Sequence, residues 1–286
     1  MSTDRSWVEV DDEPHHVEKF RNDLVRVYEA RIPAGTATQL HHHSIDTRYV
    51  TVSGGRFRSD EPGRQHPHTR LGRSITRSRQ LILLARRLLT GWLQMPCGTL
   101  IIQPHAMHPL IHQVRAHPRN AGPVRMIGVE LRDRAVRSST IRSLSGLAVE
   151  HADQRATTYR IDLAPGTTTG PIPLDRGGVL IVAEGQATVG ATDTRTVGGP
   201  AAEWLDAGTV RIASAPHQSL TAVLVVPEGG GRPDAYGVRP IQRPPSTRCA
   251  TSAANRAWGA PFRTREPGAE LNEASPRCPG GVPPCA

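Results

Sequence analysis

Apolar and polar residues alternate over much of the first 130 positions. In 23–33, DLVRVYEARIP, the residues Val25, Val27 and Ala30 interleave with Arg26 and Glu29, and Ile32 follows. That period predicts a half-buried β-strand. Ala34-Gly35 predicts a turn. The stretch 40–55, LHHHSIDTRYVTVSGG, contains the β-prone run Tyr49-Val50-Thr51-Val52 and ends on Gly54-Gly55, as a hairpin turn would. Residues 98–103, 110–114 and 124–131 predict three further strands, so an antiparallel β domain is expected over 20–135.

One interruption breaks this domain, an insertion at 56–93. Its segment 63–90 holds seven Arg and no acidic residue. Towards its end Leu81, Leu84, Leu88 and Trp92 recur at helical spacing, which predicts an inserted Arg-rich helix. Packing of that helix on the outside of the β domain is the first reading. A cationic element against an anionic membrane or partner, or a lid over a pocket, are the others.

Residues 132–153 read as a linker. A second β block follows at 155–228, with strand-like runs at 158–166, 177–191, 201–213 and 220–228. From Gly229 onward Pro, Gly and Arg dominate without period. Such a composition buries too little apolar surface to offset chain entropy, so 229–286 is expected to be a disordered tail. The two β blocks also look like repeats of each other. YEARIPAGT (28–36) matches YRIDLAPGT (159–167), YVTVSGGRF (49–57) matches VLIVAEGQATV (179–189), and MPCGTLII (95–102) matches LDAGTVRIA (205–213).

Composition narrows the classes. The chain has 286 residues, 37% of them hydrophobic and 4% aromatic, with 27 Gly and 25 Pro. No stretch approaches the roughly 20 apolar residues that span a bilayer, and the N-terminus lacks the basic-then-apolar run of a signal peptide. The net charge is +9, and lysine occurs only at Lys19. Charge of this kind speaks to solubility and non-specific binding, not fold. The basic segment 63–90 has no interleaved aromatics for base stacking, so no nucleic-acid partner is expected. The four Cys, at 97, 249, 278 and 285, form no CxxC pair, and a reducing cytoplasm is the expected location.

The candidate chemistry lies in His41, His42 and His43. On a strand, side chains two apart share a face, so His41 and His43 point one way and His42 the other. Two imidazoles on one inward face can chelate a divalent metal. His112, in the strand-like run LIHQV, is the natural third ligand. The other histidines sit in polar, loop-like contexts. His15, His16, His66, His68, His117 and His151 read as solvated, and His105 and His108 as candidates for a barrel mouth.

The spacing Gly35-x5-His41-x-His43-x3-Thr47-x6-Gly54 resembles the first motif of the cupin superfamily, and 98–122 resembles a loosened second motif. The resemblance covers about 20–131, with a weaker echo at 158–228. It implies an all-β fold of two cupin-type antiparallel barrels (jelly rolls), and a homodimer. It also implies one divalent transition metal, Fe, Mn, Ni or Zn, on His41, His43 and His112. The family's glutamate position holds Thr47, whose hydroxyl is a poor ligand, and only a bulge would turn Asp46 inward. In the second block the positions of His41 and His43 are Ile172 and Leu174, and His217 alone cannot hold a metal. That barrel is expected to be structural. Two functions stand open: a metal-dependent oxygenase acting on a small molecule, similar to the thiol dioxygenases of the superfamily, or a non-catalytic bicupin that binds a small-molecule ligand without metal. Tyr49, inward by alternation, is either core packing or a polar wall of that pocket.

Overall fold

A computed structural model describes residues 6–62, 91–133, 144–191 and 193–228. The expected Arg-rich helix and the tail 229–286 lie outside the described residues, as do His66 and His68. The described part contains strands and no helix, and none of its elements is a helix long and apolar enough to cross a membrane.

The first half contributes β1 (Val8–Glu9), β2 (His16–Arg21), β3 (Val25–Ile32), β4 (His41–His43), β5 (Thr47–Ser53), β6 (Gly55–Asp60), β7 (Leu93–Met95), β8 (Leu100–Gln103), β9 (Leu110–Ala116) and β10 (Val124–Leu131). They form two five-stranded sheets, in the orders β1-β4-β9-β6-β7 and β2-β3-β10-β5-β8. Structure therefore begins at Val8, earlier than the alternation beginning near Val25 implied. The expected interruption is also narrower than 56–93. Phe57 and Ser59 of β6 alternate inward and are buried, and Leu93 and Met95 of β7 pair with that strand.

The second half contributes β11 (Ala148–Ala152), β12 (Ala156–Leu163), β13 (Ile172–Leu174), β14 (Gly178–Glu184), β15 (Gln186–Gly190), β16 (Arg195–Gly198), β17 (Ala201–Leu205), β18 (Gly208–Ser214) and β19 (Leu220–Pro227). Their sheets run β11-β12-β19-β14-β17 and β13-β18-β15-β16. Each position in these orders has its counterpart in the first half, with β11 answering β2 and β13 answering β4. The described residues form a duplication: two barrels that share one antiparallel strand order, to which the first adds β1, paired parallel to β4. Two of the three repeated segments fall on equivalent strands. The third is displaced by one strand, since MPCGTLII covers β7 and β8 whereas LDAGTVRIA covers the end of β17 and β18.

The strand β14, GVLIVAE, is apolar without a break because both its faces are covered. Leu180 and Val182 fill the second barrel. Val179, Ile181 and Ala183 face the first barrel, in a core shared with Val50, Val52, Leu100, Ile102, Ile127 and Val129. Each such aliphatic side chain contributes roughly 1.5–3 kcal/mol on burial, so the two sheets hold each other. Ion pairs cross the rim of this core: Arg155 to Asp46 at 3.1 Å, Arg176 to Asp133 at 2.8 Å, and the buried Arg48 to Asp153. Burial pushes the Asp153 carboxyl up, but hydrogen bonding to His151 and the Arg48 charge hold it well below the carboxylate range.

Candidate metal centre

The site is the interior of the first barrel, between its two sheets. β4 carries His41 and His43 on its inner face, both buried. β9 lies beside it in a register that sets His41 directly opposite His112. The ring centres of His41 and His112 are 4.6 Å apart, those of His41 and His43 4.8 Å, and those of His43 and His112 5.1 Å. His42 faces the other way, as alternation requires, against the Trp7 ring at 4.8 Å and Glu9 Oε2 at 3.1 Å.

A fourth imidazole was not legible in the sequence. His16, expected to be solvated, is 8% exposed and reaches in from β2 on the opposite sheet. Its ring centre lies 4.7 Å from that of His41 and 5.9 Å from that of His43. Nitrogens of His16, His41 and His43 all fall within 4.8 Å of one another. The context DDEPHH reads as a polar loop because the residues around His16 do face water. His16 is turned inward by the buried Glu13, whose carboxylate takes Nδ1 of His16 at 2.6 Å, Nδ1 of His15 at 3.0 Å and the Gln39 amide at 3.0 Å. Burial pushes Glu13 up, but the hydrogen bonds from His16, His15 and Gln39 prevail and hold it at about 2.

All four rings are tied at Nδ1. His41 uses the Gln39 carbonyl at 2.8 Å, His112 the Ser59 hydroxyl at 2.7 Å, and His43 the Tyr49 hydroxyl at 3.3 Å. A carbonyl can only accept, so His41 carries its proton on Nδ1 and in the neutral ring presents a lone pair at Nε2, while Nδ1 of His16 donates to the Glu13 carboxylate. Nε2 of His41 and of His112 is buried with no hydrogen-bond partner. Burial and the charge of His16 push His41 down to about 4. Burial, then the neighbouring imidazoles, hold His43 and His112 well below the ordinary histidine value. At neutral pH these rings are therefore uncharged, the form that binds metal.

Behind the rings, Tyr28 donates to the Tyr49 hydroxyl at 3.0 Å. The Tyr28 ring lies across Gly128, directly opposite in the ladder, where an added Cβ would stand 2.6 Å from the ring. Tyr49, left open between core and wall, is both: it packs against the apolar core and lines the cavity. Thr47 is fully buried and its hydroxyl donates to the Ile45 carbonyl at 2.8 Å. Asp46 turns to the rim, accepting from Arg155 at 3.1 Å and the Ala106 amide at 2.8 Å, so no bulge delivers it to the histidines.

A cavity of about 70 Å³ opens beside the cluster, against the roughly 10–15 Å³ that one water needs. His16, His43, His105, His112, Tyr49, Ser59 and Gln103 supply its polar wall, and residues such as Phe57, Met95, Ile101 and Met126 its apolar one. Of the two histidines considered for the mouth, His105 is buried and stacks on His43 at 4.9 Å, whereas His108 is exposed. Burial pushes His105 down to about 4. His117, half-buried, packs on Trp92, and His151 is half-buried within β11.

In the second barrel, Ile172 of β13 stands opposite Val210 as His41 stands opposite His112. Ile172 and Leu174 are buried in an apolar core, and none of these three side chains offers a ligand atom.

No family model matches the sequence, and no curated protein matches it. Solved structures do resemble it. The bacterial pirin YhhW in complex with nickel(II) from Escherichia coli aligns at 12% identity over 74% of this chain and 90% of that one, with a TM-score of 0.48. An oxalate decarboxylase aligns at 12% identity over 71% and 69%, TM-score 0.44. A cupin 2 conserved barrel domain protein from Leptotrichia buccalis aligns at 7% identity over 74% and 88%, TM-score 0.42. The described residues form two β-barrels, as the motif spacing implied, and the first of them holds a cluster of buried histidines.

Proposed function

We propose that the protein is a metal-binding bicupin whose first barrel holds one divalent transition metal, Fe, Mn, Ni or Zn, on Nε2 of His41, His43 and His112. His16 faces the same point and stands in for the family glutamate that Thr47 replaces. The observation that carries this reading is the pairing of every Nδ1 with a protein partner while Nε2 of His41 and His112 is buried and unpartnered. Leaving a buried acceptor unpaired costs about 1–3 kcal/mol, and a cation shared among these rings removes that cost. Gln39, Ser59, Tyr49 and Glu13 then act as outer partners that fix ring orientation and tautomer.

Bound there, a metal supplies Lewis-acid chemistry or a place for dioxygen beside a substrate. On this reading the protein is an oxygenase acting on a small molecule held in the adjoining cavity. The chain's own residues exclude water through the apolar wall and keep the imidazoles neutral. Elemental analysis of protein purified without added metal tests this. The expected result is close to one first-row transition metal per chain, with oxygen uptake once a substrate is supplied. Protein that neither carries metal nor takes it up would leave the metal-free, ligand-binding bicupin as the function.

A further inference from the structure

His105 has no task in the metal centre as drawn. It sits in the turn after β8, 2% exposed, with its ring stacked on His43 at an interplanar angle of 15°. It lines the cavity. The ring hydrogen-bonds the backbone of His108, in the sense that favours the protonated ring. The His108 amide is already committed to the Pro104 carbonyl at 3.0 Å. The acceptor on His108 is therefore its carbonyl, and the donor is a ring N–H. Nε2 of His105 is buried without a partner, so that donor is Nδ1, and Nε2 presents a lone pair.

The rest of the wall restricts what can meet that lone pair. Among the described residues that line the cavity there is no Asp, Glu, Lys or Arg. Two charged groups close to the lining residues are engaged elsewhere: Glu13 behind His16, and Arg26, beneath the Tyr28 ring, with Glu130 at 3.1 Å. A sugar phosphate or a dicarboxylate would find no Lys or Arg in that wall, and burying an unpaired charge is costly. A buried acceptor in an apolar wall selects instead for a donor, because a ligand lacking one leaves it unpaired.

We propose that His105 is a ligand-reading residue, and that the cavity takes a small, largely apolar molecule with a single O–H or N–H donor, which that residue accepts through Nε2. This rests on the cavity being the ligand site of the proposed metal centre, but its test does not need the metal. Phenol and toluene are nearly the same shape and differ by the donor. Their affinities for chelator-treated protein, with benzoate as the charged analogue, are measured by ligand-observed NMR. Phenol should bind, benzoate should bind at least ten-fold more weakly, and His105→Leu should reduce the preference for phenol over toluene about five-fold or more. His105→Gln, which keeps an acceptor, should retain part of that preference and guards against a folding artefact. An unchanged preference in His105→Leu, benzoate binding as tightly as phenol, or no phenol binding at all would each overturn the proposal. Metal content of the same variants separates the two readings. Loss of metal in His105→Leu would make His105 a ligand rather than a reader. Absence of metal from the unaltered protein would sink the metal centre and leave the phenol result standing.

Discussion

Acidifying the metal-free protein should unfold it in a window set by the buried histidines. The imidazole of His41 is fully buried and held from its ordinary 6.5 down to about 4. In the unfolded chain it takes up a proton as pH falls through 6.5, while in the folded chain it stays neutral until about 4. The unfolded state thus binds more protons across this interval, and stability falls as pH falls. Between pH 7 and pH 5 the loss from His41 alone is about 2 kcal/mol, and on the order of 3 kcal/mol across the full window. His105, also held at about 4, loses stability in the same sense. His43 and His112 share the direction, and since the rings repel one another once charged, the losses are coupled and do not add. Glu130 works against them, since burial pushes its carboxyl up despite Arg26. The net fall remains a large share of the roughly 5–15 kcal/mol that stabilises a typical domain. Urea unfolding of chelator-treated protein at pH 7 and pH 5, read by circular dichroism, measures it. His41→Phe, which cannot take a proton, should flatten the slope. Equal unfolding free energies at the two pH values would refute the picture of neutral, water-excluded imidazoles.

Three further outcomes are expected. His43→Ala should lower metal content from about one per chain to below a tenth, whereas His42→Ala, facing Trp7 and Glu9, should leave it unchanged; equal losses in elemental analysis would mean that the β4 register is wrong. Gly128→Ala should cost about 1–3 kcal/mol by overpacking against the Tyr28 ring, seen as a lower denaturant midpoint with the slope retained. Ile172→Ala in the second barrel should cost about 2–5 kcal/mol through the cavity it leaves, yet metal per chain should not change in the protein that remains folded.

The part of the site that lies on one strand was legible in the residues themselves. His41, His42 and His43 needed only the two-residue period of a strand to be sorted into inner and outer faces, and Ile172 and Leu174 needed only the same count from Gly166. The duplication was visible too, although one segment pair matched Gly-Thr turns on non-equivalent strands, because short turn signatures recur between many strand pairs. What the sequence could not supply was the inward turn of His16. Its neighbours Val17, Glu18 and Lys19 are exposed, and its inward turn is fixed by Glu13, which holds the adjacent His15 and His16 and ties them to the distant Gln39 amide. His105 likewise lies in a Pro-rich turn whose local pattern says nothing of the stack on His43. Alternation along a strand is a local property of the backbone, so sequence determines it. Which sheet closes over which face, and so which distant side chain meets the two imidazoles, depends on how two sheets pack across a barrel, and that only the tertiary structure decided.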